Sequence, residues 1–416
     1  MNVLLTGSSG FLATHIHRLL ADQHSDWTIH CLDIKPRVNS PEASPSYFPD
    51  EHFIAHPLPS TASALTALFQ SLHLDGIIHC AGLIPSGPSR YNPSPALRKQ
   101  VWQVNVEGTR NIISAAKEAG VKAVVYTSSC TVVADDLSQD FPLMREDDPP
   151  PPRENLLLYG QTKAAAEAIV LEANSWPPPT HQTPNPIKAT PRQTPPPHNL
   201  LTCALRPAII IGPDDPSPTL PTIFSLVATG QTPFVIGNGH NLIDFVAAEN
   251  VAQAHILALE NLLGAGRFDP SPADPSNDPL GRPAPSDWTP LPFSASGQAM
   301  FITNHAPIPF RSFLLAVFAQ VGAHVPPYTL PIPARLAWFF GAVAEGVAWV
   351  TGRQGVLSRG SVMDATGTRY ACAGDGRGRG GRWGRAERVL GYVPVVGLGE
   401  AVRAACEGYR GRLEGE

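Results

Sequence analysis

Val3-Leu4-Leu5-Thr6-Gly7-Ser8-Ser9-Gly10-Phe11-Leu12-Ala13 decides the reading of this chain. Three apolar residues form a buried strand, two glycines turn the backbone, and from Phe11 the apolar spacing becomes helical as far as Leu20. In a strand, turn and helix of this kind Gly7 permits the tight turn and Gly10 lets the backbone approach a pyrophosphate. The free N–H groups at the helix start, at Phe11 and Leu12, offer the positive end of the helix dipole. Ala13 stands where a third glycine is common, and its small side chain suits close packing of helix on strand. Thr28-Ile29-His30-Cys31-Leu32-Asp33 follows as a second strand ending in a carboxylate, about 20 residues beyond the glycines. Such an acid accepts hydrogen bonds from a ribose diol and repels a 2′-phosphate. NAD is therefore expected ahead of NADP, although Lys35 and Arg37 stand close enough to admit the latter.

Working outward, Gly76-Ile77-Ile78-His79-Cys80-Ala81-Gly82 reads as a buried parallel strand whose exit, Ala81 and Gly82, would lie against the cofactor. His79 within it reads as a core histidine. Val101, Val104, Gly108, Ile112, Ile113 and Ala116 mark a long helix with Asn105 polar in its midst, and Ala123 to Ser129 gives another strand ending in hydroxyls. Tyr159 and Lys163 are four residues apart and so share one helix face, placing an ammonium beneath a phenol. A phenol of pKa about 10 can take a proton from an alcohol near neutrality only if roughly 4 kcal/mol of differential stabilisation favours its phenolate. Lys163 and the charge of an oxidised nicotinamide are the expected sources.

Composition narrows the remaining classes. The net charge is −5 with a pI near 6.3, so no basic surface points to nucleic acid. Six cysteines are scattered without ligand spacing, so neither a metal site nor a disulfide framework is expected. Met1-Asn2 runs directly into a strand, and secretion is not expected. Prolines number 45, and their clusters at Pro149–Pro152 and within residues 176–198 exclude helix and central strand, so both are surface excursions. These features imply an α/β, Rossmann-like doubly wound parallel sheet with a smaller C-terminal lobe. The expected division is residues 1–205 for the NAD-binding domain, carrying the proline-rich insert, with the sheet completed by segments near 241–262 and 299–304. Residues 206–416 then form mainly a substrate-binding lobe with a proline-rich loop at 268–291 and a Gly/Arg-rich loop at 373–385. Leu336, Phe339, Phe340, Val343, Val347 and Val350 fall at helical spacing. The run contains Glu345 and is too short for a comfortable membrane crossing, leaving a packed helix, an interfacial helix or a pocket wall.

Thr6 to Ala13, Asn105-Val106-Glu107-Gly108-Thr109, Tyr126 to Ser129, Tyr159 to Lys163 and Leu205-Arg206-Pro207 resemble the extended short-chain dehydrogenase/reductases, within them the 3β-hydroxysteroid dehydrogenase branch. The stretches Ile236 to Val246, Glu249 to His255 and Val389 to Pro394 resemble the decarboxylating sterol-4α-carboxylate 3-dehydrogenases. The chain departs from that family at Ile54-Ala55-His56-Pro57-Leu58, where an acid near the adenine is usual. The resemblance implies Tyr159 as base, Lys163 as its partner and a ribose ligand, and Ser129 as the hydroxyl on the substrate oxygen, with Ser128 and Thr131 as rivals. Asn105 would order the site, and Pro207 would join Gly7, Gly10, Phe11, Leu12, Asp33, Ala81, Gly82, Asn105, Tyr159 and Lys163 in holding NAD. It implies oxidation of a 3β-hydroxyl on a sterol or terpenoid, and loss of CO2 where a 4α-carboxylate makes the product a β-keto acid. It also implies a homodimer formed through the helices of Asn105 and Tyr159, on the cytoplasmic side and peripheral to the endoplasmic reticulum membrane. A nucleotide-sugar epimerase or dehydratase, and a catalytically silent NAD sensor, are the alternative readings.

Overall fold

The computed structural model of the chain describes residues 1–34, 53–55, 61–176, 199–264, 294–322, 325–351, 357–371 and 384–415. Lys35, Arg37, His56 and most of the three long inserts lie outside these residues. The central sheet is built from β1 (Asn2–Thr6), β2 (Thr28–Asp33), β3 (Phe53–Ala55), β4 (Gly76–His79), β5 (Ala123–Thr127), β6 (Leu201–Pro207) and β7 (Ala299–Ile302). All its neighbours are parallel, in the order β3-β2-β1-β4-β5-β6-β7. The strand order reverses between β1 and β4, and it is at such a switch point that an open α/β sheet leaves a crevice for a ligand.

Alternation along the strands divides the core in two. Val3, Leu5, Ile78, Val125, Cys203 and Leu205 face α1 (Phe11–Gln23) and a helix at Ala248–Leu263, whereas Leu4, Leu32, Ile77, Val124, Tyr126 and Ala204 face the opposite layer. That second layer contains α2 (Ala62–Ser71), α3 (Pro95–Trp102), α4 (Thr109–Ala119) and α5 (Leu158–Glu172). Strands buried on both faces need apolar residues at nearly every position, which is why β4, β5 and β6 show no polar alternation.

The expected completion of the sheet needs correcting. Residues 299–302 do join it, as β7 along the free edge of β6, with Ala299 opposite Ala204 and Ile302 opposite Pro207. The segment near 241–262 does not. Once β7 occupies that edge, Phe245–Ala247 pairs with Ile209–Ile211 in a separate two-stranded sheet, and the alanine-rich run that follows coils into α6 (Ala248–Leu263) on the sheet face. The long helix expected after β4 runs unbroken from Pro95 to Ala119, with one irregularity in its middle. Between α3 and α4 the backbone widens into a π-helical turn at Gln103–Gly108 that contains Asn105.

The C-terminal lobe has its own core, Ile211, Leu220, Ile223, Ile243, Phe245, Phe313, Phe318, Val402 and Cys406 among its members. Its helices include α7 (Phe310–Gly322), α8 (Ala334–Thr351) and α9 (Arg359–Thr366). A four-stranded sheet ties the lobe to the first half of the chain, because Phe141–Met144 pairs with Arg369–Ala371.

Candidate active site

Gly7 closes the first turn with φ at +69°, donating its N–H to Leu32 O at 2.9 Å. A Cβ there would stand 2.7 Å from the Ala81 backbone, so both the conformation and the space call for glycine. Gly10 is the N-cap of α1 and brings no side-chain cap, leaving the first-turn N–H groups at Phe11 and Leu12 without a capping side chain. Asp33 ends β2 above this turn, its carboxylate accepting the Ser9 N–H at 3.0 Å and the Ile34 N–H at 2.7 Å. An uncapped helix end, a glycine turn and an anchored carboxylate at the switch point form a cradle that fits a dinucleotide. When bound, oxidised nicotinamide accepts hydride and brings a positive charge.

His79 is a core residue, as the sequence suggested, and its hydrogen bonds fix its tautomer. Thr109 donates to Asn105 O at 2.7 Å, so its oxygen accepts from His79 Nε2 at 3.0 Å. Nδ1 in turn accepts from the Thr6 hydroxyl at 2.6 Å. Burial, followed by the charge of Lys163, pushes the imidazole down to about 3, so it stays neutral. It thereby locks the ends of β1 and β4 to α4 on either side of the cofactor crevice.

Asn105 performs a similar task nearer the chemistry. From the π-helical turn its Oδ1 accepts the Leu83 N–H at 2.7 Å, while Nδ2 donates to Leu83 O and to Thr162 Oγ1, both at 3.0 Å. The segment leaving β4 is thus stitched to α5 beside Tyr159. Gly82 lies in the same seam, with a Cβ placed there 3.4 Å from Asn105 Oδ1 and 3.6 Å from Lys163 Nζ.

Lys163 is 4% exposed and donates to Thr127 O at 2.7 Å and the Tyr126 hydroxyl at 3.2 Å. Burial lowers its pKa to about 8, opposed by Cys80 and by Glu167 one turn further along α5. The half-buried Tyr159 is shifted the other way. Burial raises its pKa, Cys130 and Asp135 add to the rise, and a hydrogen bond with Ser129 and the charge of Arg90 oppose it. The expectation that Lys163 draws the phenol toward neutrality is therefore not met by the chain alone. The ammonium is aimed at the end of β5 and stands 5.9 Å from the Tyr159 ring centre. The remaining positive charge must arrive with the cofactor.

The three hydroxyls after β5 separate clearly. Ser128 is buried and donates to Glu167 Oε2 at 2.6 Å, within a bidentate pair of Glu167 with Arg206 at 2.6 and 3.0 Å. Thr131 Oγ1 is buried without a hydrogen-bond partner among the described residues. Ser129 is half-buried, accepts the Thr131 N–H at 3.2 Å and is hydrogen-bonded to Tyr159. Pro207 ends β6 alongside, its carbonyl accepting the Cys130 N–H at 3.1 Å. Ser129, Tyr159 and Lys163 thus converge at the carboxyl end of the sheet beside the glycine turn.

Sequence reasoning did not foresee the charged chain behind Tyr159. The N-cap of α5, Leu157, has no capping side chain; Asp135 supplies one from another element, accepting the Gly160 N–H at Oδ2, 3.0 Å away. Asp135 Oδ1 accepts from Arg90 Nη2 at 2.8 Å, and Arg90 Nε donates to Asp364 on α9 at 3.1 Å. Asp364 also accepts from the Tyr91 hydroxyl at 2.9 Å and Arg369 Nη1 at 2.6 Å. Burial raises the pKa of Asp135 against the pull of Arg90. Asp364 is also resisted by burial, but Arg90 and Arg369 prevail and hold it below the usual carboxylate range. Among the described residues no group of histidine, cysteine and acid side chains could hold a metal ion.

Comparison with known proteins follows the same lines. Residues 4–332 match the 3-beta hydroxysteroid dehydrogenase/isomerase family. The decarboxylating sterol-4-alpha-carboxylate 3-dehydrogenase of Schizosaccharomyces pombe is 31% identical over 97% of this chain and 96% of its own length. Its human counterpart is 28% identical over 97% and 87%. Among solved structures, gox2253 superposes with a TM-score of 0.62 at 19% identity, covering 99% of this chain and 98% of that one. The Thermus thermophilus UDP-glucose 4-epimerase complex with NAD gives 0.57 at 19% identity, covering 99% of each. At such identities these structures share the fold. The sequence match, which runs from β1 into the C-terminal lobe, establishes that the chain belongs to the 3-beta hydroxysteroid dehydrogenase/isomerase family.

Proposed function

We propose that this protein oxidises the 3β-hydroxyl of a sterol bearing a 4α-carboxylate, with NAD as hydride acceptor, and that the product loses CO2. The observation that carries the reading is the convergence of Ser129, Tyr159 and Lys163 beside the Gly7–Gly10 turn. The names of the relatives at 31% and 28% identity supply the substrate class. Ser129 holds the substrate oxygen and Tyr159 removes its proton as hydride leaves the carbon. Lys163, fixed by Thr127 O and Tyr126, stabilises the phenolate and reaches the nicotinamide ribose. Asp33 favours NAD over NADP. The ketone formed is β to the carboxylate, so the electron pair of the breaking C–C bond enters an enolate and no second base is required.

Incubation with NAD and 3β-hydroxysteroids with and without a 4α-carboxylate, recording NADH and CO2, tests this. Both products from the carboxylated sterol are expected. NADH without CO2 would remove the decarboxylation, and no NADH from either would remove the dehydrogenase. Tyr159→Phe is expected to abolish turnover while leaving NAD affinity intact.

The same reading places the protein on a membrane surface as a dimer. Helix α8 rests on its neighbours through Ala337 and Gly341 and turns its large side chains outward, with Phe339 58%, Phe340 52% and Val350 76% exposed. Leu330, on the strand leading into α8, and Phe234, on the strand paired with it, extend the apolar face. No helix of the described residues is long and apolar enough to cross a membrane; the outward apolar face of α8 supports peripheral contact, and flotation with anionic phospholipid vesicles should carry the protein upward. Dimerisation through α3 to α5 is checked by light scattering.

A further inference from the structure

We propose that Arg90 receives the substrate's carboxylate, presenting Nη1 to it beside the oxygen held by Ser129 and Tyr159. The inference rests on the reading that the substrate carries a carboxylate on the carbon next to the one oxidised. Such a group lies within two bonds of the reacting carbon, so the donor that recognises it must stand next to the Ser129–Tyr159 pair.

The charged and titratable groups around that pair include Lys163 on α5, Cys130 and Asp135 after β5, and Arg90 after β4; Asp364, Arg369 and the buried Asp244 stand behind them. Lys163 is turned toward the end of β5, where Thr127 O and the Tyr126 hydroxyl take two of its three N–H groups. Arg369 spends Nη1 on Asp364, and its Nε and Nη2 are buried without a hydrogen-bond partner among the described residues. Arg90 is different. Its side chain is 22% exposed, Nη2 and Nε are bound to Asp135 and Asp364, and Nη1 has no bond to any described residue. Asp135 joins the guanidinium to the catalytic helix, since its other oxygen accepts the Gly160 N–H at 3.0 Å. The donor edge is therefore one carboxylate removed from the Tyr159–Gly160 peptide and is held before substrate arrives.

The two flanking acids have a chemical consequence. When CO2 leaves, the carboxylate's negative charge passes through the breaking C–C bond into the enolate of the new ketone, which a proton then quenches at carbon. A bare cation on the carboxylate would stabilise the ground state more than the transition state and slow this step. A guanidinium balanced by Asp135 and Asp364 orients the group by hydrogen bonding while its net charge is largely offset. Arg90 thus selects the carboxylated sterol and lets it lose CO2.

The test compares kcat/KM for NADH formation from carboxylated and uncarboxylated 3β-hydroxysteroids in the wild type, Arg90→Gln and Arg90→Lys. The ratio between the two substrates should fall about 10- to 100-fold in Arg90→Gln, as for loss of a hydrogen bond to a charged group, and Arg90→Lys should recover part of it. A merely structural role would lower both substrates equally and leave the ratio unchanged, and that result overturns the proposal, as does a wild type that ignores the carboxylate. A wild type that oxidises neither substrate defeats the underlying substrate reading instead.

Discussion

Gly160→Ala sets two well-understood effects against each other in the catalytic helix. Gly160 occupies the first turn of α5, where alanine is the better helix former by about 1 kcal/mol. A Cβ at this position, however, would stand 2.7 Å from Asp135 Cβ, 2.8 Å from Asp135 Oδ2 and 2.8 Å from Thr131 O. Two of the three contacts lie on or next to the backbone of a buried turn and cannot yield as a flexible side chain would. Overpacking of this kind costs about 1–3 kcal/mol, and displacing Asp135 also removes the surrogate cap of α5, another ~1 kcal/mol. The clash therefore outweighs the gain in propensity, and the variant should be less stable by roughly 1–3 kcal/mol. Activity should fall further than stability requires, because Asp135 carries Arg90 with it and α5 carries Tyr159. Chemical denaturation and kcat measured on one preparation, with NAD affinity as the control for the glycine turn, check both parts. A variant that is stabilised by about 1 kcal/mol and keeps its kcat would refute the account.

Three other substitutions examine separate parts of the site. Gly7→Ala must place a side chain at φ +69° and 2.7 Å from the Ala81 backbone, so NAD binding, read by calorimetry, should be lost before the fold is. Lys163→Met removes a buried ammonium whose pKa is about 8 instead of 10.5. Between those values the unfolded chain binds the extra proton, so wild-type stability relative to the variant should rise with pH across that window by about 3 kcal/mol, and a pH-independent difference would contradict the burial argument. Arg206→Met leaves Glu167 charged and unpaired in the core and should cost about 3–5 kcal/mol. Adding Glu167→Leu should return part of that, a coupling measurable as a double-mutant cycle by denaturation.

Which parts of the molecule could be read from the sequence depends on how far apart the interacting residues are. The glycine turn, the carboxylate ending β2, the exit of β4 and the pairing of Tyr159 with Lys163 are local patterns with periods of two or nearly four, and the structure places each where the pattern implied. Glu167 was also within reach, being one turn beyond Lys163 on the same helix face. The π-helical turn was not, because Gln103–Gly108 has only its terminal glycine to interrupt the apolar spacing of α3 and α4. The helical run from Leu336 to Val350 was visible, but periodicity cannot say which face is outward, and here the larger side chains face away from the lobe.

The charged chain behind Tyr159 belongs to a different category. Asp135 is 25 residues from Gly160, Arg90 is 45 from Asp135, and Asp364 is 274 from Arg90. No window on the scale of a helix or a strand contains even one of these bonds, and each residue alone reads as an ordinary charged position. This division has a functional meaning. The half of the site that handles a dinucleotide is written in short motifs, and its fold is shared with that of a UDP-glucose 4-epimerase in complex with NAD. The half we assign to the substrate is assembled from the segment after β4, the turn after β5, α9 and the strand that carries Arg369, which only tertiary packing brings together. Changing the substrate therefore need not disturb the Tyr-Lys pair. On the proposal above it requires altering which guanidinium and carboxylate groups stand against Asp135, a position held in this chain by Arg90 from the segment after β4 and, beyond it, Asp364 from the C-terminal lobe.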